Sequence, residues 1–107
     1  MERIVAIPKL TPEQLQAARA AATESRRVRA ALKDSVRDGS KSLSQALDEC
    51  AKNDVLAHIR VIDLLKAVPR IGDKRAAEIM TKYDIADNRR VRGLGRHQVT
   101  GLKAEFN

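Results

Sequence analysis

The chain has 107 residues, with 21 Lys and Arg against 14 Asp and Glu and a formal net charge of +7. That length holds one domain, or one domain with an appended arm, and leaves little room for a deep catalytic cleft. Its single cysteine, Cys50, excludes an internal disulfide, no His/Cys cluster has the spacing of a zinc site, and Tyr83 and Phe106 are its only aromatic residues.

The basic surplus points to a polyanionic partner, nucleic acid foremost. Single strands are gripped by bases stacked on rings, so a basic chain with two rings suits duplex backbone better. The first eight residues, Met1 to Pro8, are apolar over four positions, short of a signal peptide or a membrane span. We therefore expect a cytoplasmic protein with no membrane partner, no small-molecule substrate, no cofactor and no metal.

In chain order, residues 1–10 read as an extended arm, because Pro8 disfavours helix for Ile7. Thr11-Pro12-Glu13 starts a long helix, with a capping hydroxyl, proline in the first turn and an acid at the positive dipole end. The helix is expected to run to about Arg37 and the whole segment to occupy residues 11–38. Leu15, Ala18, Ala22, Ser25, Leu32 and Val36 form one apolar stripe at 3–4 spacing. Arg19, Arg26, Lys33 and Arg37 fall on a basic edge beside it, with Arg29 at the border. A stripe made mostly of alanine predicts a helix that docks weakly or projects.

Gly39 terminates that helix, and Ser42-Leu43-Ser44-Gln45 opens a second one as a capping box, through about Lys52. Asn53 or Asp54 caps a short third piece bearing Val55, Leu56 and Ile59. Val61 to Val68 forms a fourth, with Ile62, Leu64, Leu65 and Val68. After the Pro69–Gly72 corner, Asp73 is expected to cap a helix bearing Ala76, Ala77, Ile79, Met80 and Tyr83. A polar stretch from Asp84 to Gly95 leads to a last helix with Val99, Leu102 and Phe106. No segment alternates as a strand does, so the fold class is all-α, with residues 42–107 as a compact domain of short helices.

Two stretches carry the candidate chemistry. At "PRIGDKR", a helix N-terminus offers unpaired N–H groups, Gly72 permits close approach, and Arg70, Lys74 and Arg75 add charge where the dipole disfavours cations. At "RRVRGLGR", Arg89, Arg90, Arg92 and Arg96 crowd eight residues without an acid, between glycines that let a loop lie against a backbone. Arg60 and Lys41 are the remaining candidates. His58 and Asp63 read as a capping or surface pair. No recognition helix lined for base edges is evident, so phosphate contacts and weak sequence preference are expected.

The segment "LLKAVPRIGDKRAAEIM" resembles the helix–hairpin–helix motif, whose hairpin usually reads Pro-Gly-Ile-Gly and binds duplex phosphate. Arg70 stands where that motif has its first glycine. "YDIADNRRVRGLGRHQVTGLKAEF" extends the likeness to the helix–two-turns–helix of a small-subunit ribosomal protein and of formamidopyrimidine-type DNA glycosylases. Over residues 5–107, "IPKLTPEQ", "RVIDLLKAVPRIG" and "RRVRGLGRHQ" resemble, in order and spacing, the mycobacterial-type integration host factors of actinobacteria. The departures are the Met1–Arg3 extension and Arg96, where a helix-capping residue is expected.

The resemblance implies a nucleoid-associated protein that binds double-stranded DNA with little sequence preference, bends or compacts it, and assists phage integration and chromosome organisation; a monomer is expected in the absence of DNA. Bending needs a second contact, for which Arg19, Arg26 and Lys33 are the candidates. Structured RNA, as in the ribosomal relative, is the alternative partner; a module pairing its first helix with another protein is the alternative of a different class. Catalysis is not expected: the glycosylases of similar fold use a processed N-terminal proline, and this chain starts Met1-Glu2.

Overall fold

A computed structural model describes residues 10–106. The arm expected over residues 1–10 lies, apart from the exposed Leu10, outside the described residues. Helices α1 (Pro12–Arg37), α2 (Leu43–Lys52), α3 (Asp54–Ala57), α4 (Val61–Ala67), α5 (Asp73–Lys82) and α6 (Arg96–Glu105) follow in order, with a 3-10 turn at Val91–Gly93. Among the described residues there is no strand, only an isolated bridge between Arg60 and Arg90.

The helix starts follow from local hydrogen bonding. Thr11 Oγ1 accepts from the Gln14 N–H at 3.0 Å, and Gln14 Oε1 accepts from the Thr11 N–H at 2.9 Å. Ser42 and Gln45 repeat this reciprocal arrangement at 3.1 and 2.8 Å, and Asn53 Oδ1 caps α3 through the Val55 N–H at 2.9 Å. Gly39, at φ 85°, takes the left-handed step that ends α1. Asp84 takes the same step after α5 at φ 56° and the Ile85 N–H reaches back to the Met80 carbonyl at 2.8 Å, which tucks Ile85 into the core.

The core is assembled from one end of α1 (Leu32, Val36), from α2 (Leu43, Ala46, Leu47, Cys50) and from α4 (Val61, Leu64, Leu65, Ala67). Ala76, Ile79 and Met80 of α5 and Leu102 of α6 close it. α1 packs on α2, α3 and α4, and α2 packs on α6 and the 3-10 turn.

Two local expectations are corrected, both on α5, while α1 projects over its first half as its thin stripe predicts. The apolar stripe of α1 docks only from Ser25 onward, through Val28, Leu32 and Val36; Leu15, Ala18 and Ala22 are exposed, because the small core ends before them. With α1 at 26 residues, about 39 Å long, the molecule measures 58 × 30 × 25 Å. Ala77 faces solvent while Ala76 is fully buried, so α5 seats a narrower face than expected. Gly72, not Asp73, is the cap of α5; Asp73 is its first residue and lies 3.4 Å from Lys66 Nζ.

Candidate nucleic-acid interface

The arginine-rich stretch is held to the domain by its backbone. The Val61 N–H donates to the Arg89 carbonyl at 2.9 Å, and the Val91 N–H donates to the Ile59 carbonyl at 2.9 Å. That pairing sets exposed Arg60 beside Arg89 and Arg90, although 30 positions separate Arg60 from Arg90 in the chain. Val91 is buried and pulls the loop inward, leaving Arg89, Arg90, Arg92 and Arg96 exposed around it.

Each arginine then has its own support. Arg89 Nη1 donates to the Gly93 carbonyl at 2.9 Å, and a Cβ on Gly93 would lie 2.8 Å from the Arg89 side chain, so this glycine makes room for the folded-over arginine. Arg90 Nη1 donates to the His58 carbonyl at 2.6 Å. Arg92 Nη1 lies 3.2 Å from His58 Nε2, whose Nδ1 is 2.7 Å from the Asp54 carbonyl. His58 therefore bonds Asp54 and Arg92, not Asp63 as its spacing suggested.

Arg96 is the first residue of α6, and Gly95 is the cap. Gln98 completes the corner: its Oε1 accepts from the Gly95 N–H at 2.8 Å, and its Nε2 donates to the carbonyls of Tyr83 and Asp84 at 3.2 and 3.0 Å. A cation at that position opposes the helix dipole by about 0.3–1 kcal/mol until an anion arrives.

The second basic cluster follows the other end of α4, a helix of seven residues about 10 Å long. Val68-Pro69-Arg70-Ile71 has the form of a type II turn: the Ile71 N–H donates to the Val68 carbonyl at 3.1 Å, and Arg70 at the third position has φ 71°. The corner that usually uses glycine is thus kept by an arginine in the left-handed region. Gly72 is exposed at φ −90°, and among the described residues, its chain neighbours aside, nothing lies within 4 Å of a Cβ placed there. Its openness leaves the first turn of α5 accessible.

Not all candidates converge. Arg75 Nη2 is 3.7 Å from Glu105, and Lys41 Nζ is 2.6 Å from Glu49, so Lys41 is engaged between α1 and α2 and does not join the loop of Arg60 and Arg90. Arg60, Arg70, Lys74, Arg89, Arg90, Arg92 and Arg96 have no acidic partner among the described residues. On α1, Arg19 and Arg26 are exposed, the latter 3.4 Å from Thr23 Oγ1, and Lys33 is half-buried at the docked end.

Glu105, at the end of α6, accepts from Lys82 Nζ and from the Tyr83 hydroxyl, both at 2.8 Å. The Lys82 bond first, and the Tyr83 bond next, hold its carboxyl below the usual range, and the same carboxylate raises the Tyr83 phenol. This junction fixes α6, and with it Arg96, against α5. Nothing in the sequence spacing of 82, 83 and 105 announces it.

Cys50 is buried, and desolvation, with Glu49 adding to it, pushes its thiol up to about 11, so it packs as an apolar group at neutral pH. Among the described residues no group of His, Cys, Asp or Glu could hold a metal ion, and no helix is long and apolar enough to cross a membrane.

A long helix leading into a knot of short ones, with a guanidinium-rich turn before the last helix, defines a basic helix–two-turns–helix protein. The S13-like H2TH domain family matches residues 36–106. The integration host factor of Mycobacterium tuberculosis is 43% identical over 102 residues, spanning 95% of this chain and 97% of that protein. The Streptomyces coelicolor integration host factor is 40% identical over 102 residues, 95% of each chain. A solved structure of sIHF bound to an 8 bp palindromic DNA superposes with a TM-score of 0.79 at 36% identity, covering 82% of this chain and 99% of the other. The chain belongs to the integration host factor family of actinobacteria.

Proposed function

We propose that this protein is an architectural, nucleoid-associated binder of double-stranded DNA that grips sugar-phosphate backbone and bends it, without catalysing a reaction. The observation that carries the proposal is the cluster of Arg60, Arg89, Arg90, Arg92 and Arg96 around the bridge between residues 60 and 90, with no acid paired to it among the described residues. Guanidinium forks match phosphate oxygens two at a time. The corner of Arg70, Gly72 and Lys74, beyond the other end of α4, supplies a further set of backbone contacts.

The relatives support this reading, since they are named integration host factors and the solved neighbour is a DNA complex. They do not favour structured RNA or a partner helix. Association with the nucleoid, assistance to phage integration and a monomeric state without DNA complete the proposal.

The test is a salt titration of binding to a short duplex by the parent and by the triple variant Arg89→Ala, Arg90→Ala, Arg92→Ala. About six phosphate contacts make parent affinity fall on the order of a thousandfold between 50 and 200 mM salt. The variant should bind more weakly and lose about 0.9 of log–log slope per phosphate contact removed. Parent-like affinity and slope in the variant would overturn the proposal.

A further inference from the structure

Residue 58 touches the arginine loop twice. Its carbonyl takes Arg90 and its ring takes Arg92, from 32 and 34 positions away in the chain. The ring contacts define a tautomer. Nδ1 lies 2.7 Å from the Asp54 carbonyl oxygen, which only accepts, so Nδ1 carries the hydrogen. Nε2 lies 3.2 Å from a guanidinium nitrogen, which only donates, so Nε2 must present its lone pair. One tautomer satisfies both neighbours. The ring is half-buried on the turn after α3, a firmer platform than the exposed loop it meets.

We infer that His58 is a positioning residue for DNA binding: its Nδ1–H tautomer, anchored on the Asp54 carbonyl, holds the Arg92 guanidinium in place before a duplex arrives. The inference rests on the proposed reading of the loop as a phosphate surface. Arg92 is a long, exposed side chain, and freezing such a chain at an interface costs about 0.5–1.5 kcal/mol. Tethering it in the free protein meets that cost in advance. The tether occupies only Nη1 of Arg92, leaving its other N–H groups for phosphate oxygens. His58 itself needs no phosphate contact. Replacing its side chain releases Arg92 and spares Arg90, which is held by the main-chain carbonyl.

The experiment is a double-mutant cycle on a short duplex, with His58→Ala, Arg92→Ala and the double variant, each titrated with salt. Alongside it, ring nitrogen shifts of His58 are read by NMR on the unmodified, DNA-free protein. His58→Ala should weaken binding by about two- to tenfold, the ordering cost of one side chain, with unchanged salt slope. Arg92→Ala should weaken binding and lower the slope by about 0.9, and the double variant should be no weaker than Arg92→Ala alone. Recorded at a pH where the ring is neutral, the spectrum should place its hydrogen on Nδ1.

Parent-like affinity in His58→Ala, an undiminished His58 effect in the Arg92→Ala background, or a ring protonated on Nε2 would each overturn the inference alone. If Arg92→Ala itself changed neither affinity nor slope, the phosphate-binding reading of the loop would fall and the inference with it. The tautomer is read on the intact protein, so the inference is decided even if a substitution costs stability.

Discussion

Gly101 lies inside α6, where glycine lowers helix stability by about 1 kcal/mol relative to alanine. The reason for it is the Tyr83 ring: a Cβ on Gly101 would lie 2.3 Å from Cε1 and 2.6 Å from Cδ1. The ring cannot simply swing away, because its hydroxyl is bonded to Glu105 at 2.8 Å. Gly101→Ala should therefore lose more in overpacking, about 1–3 kcal/mol, than it gains in propensity. Urea unfolding should show a net destabilisation, and a variant more stable than the parent would mean that the ring yields freely. Arg70 presents the opposite case, a side chain kept where the backbone prefers glycine. Holding it at φ 71° costs on the order of 1–2 kcal/mol, at a position that presents charge beside the open N-terminus of α5.

Among elements, the junction of α5 with α6 has a defined acid response. The carboxyl of Glu105 is depressed by Lys82 and then by Tyr83. A depressed folded-state carboxyl contributes stability above its unfolded value, near 4.5, and that contribution disappears as pH falls through the folded-state value. The parent should accordingly lose stability as pH is lowered from about 5, and Glu105→Gln should be less stable at neutral pH with a flatter acid limb. Urea midpoints from pH 3 to 7 check this; parallel acid limbs in the two proteins would exclude the carboxylate as the source. Because α6 begins with Arg96 and ends at Glu105, loosening this junction should also blunt the interface.

For the whole molecule, the exposed length of α1 offers a surface that the compact helices lack. From Thr11 to Glu24 every residue is exposed, and the helix docks only beyond that stretch. A duplex held at the arginine loop alone gains no curvature, since bending must be sustained by contacts elsewhere along it. Arg19 on that stretch, with Arg26 just beyond it and the half-buried Lys33 at the docked end, is the contact proposed to sustain a bend. Reversing their charges should leave affinity for a short duplex nearly intact and reduce the bend of a longer one, measured by end-to-end energy transfer. Unchanged bend and affinity together would remove α1 from the interface.

How much of this was legible in the residues depends on how far each signal reaches along the chain. Thr11 with Gln14, Ser42 with Gln45, and Gly39 act within a few positions, so the starts of α1 and α2 and the stop of α1 were readable, as was the all-α class; charge and scarce rings suggested the proposed duplex partner. The placement of Arg60 beside Arg90, the grip of His58 on Arg92, the separation of Lys41 from the loop and the close approach of Gly101 to Tyr83 were not. Each of these joins distant positions through a packed core, and only the closing of α4, α5 and α6 around Leu64, Met80 and Leu102 determines which side chains meet. Local backbone chemistry chooses the elements; the burial of apolar surface chooses their neighbours.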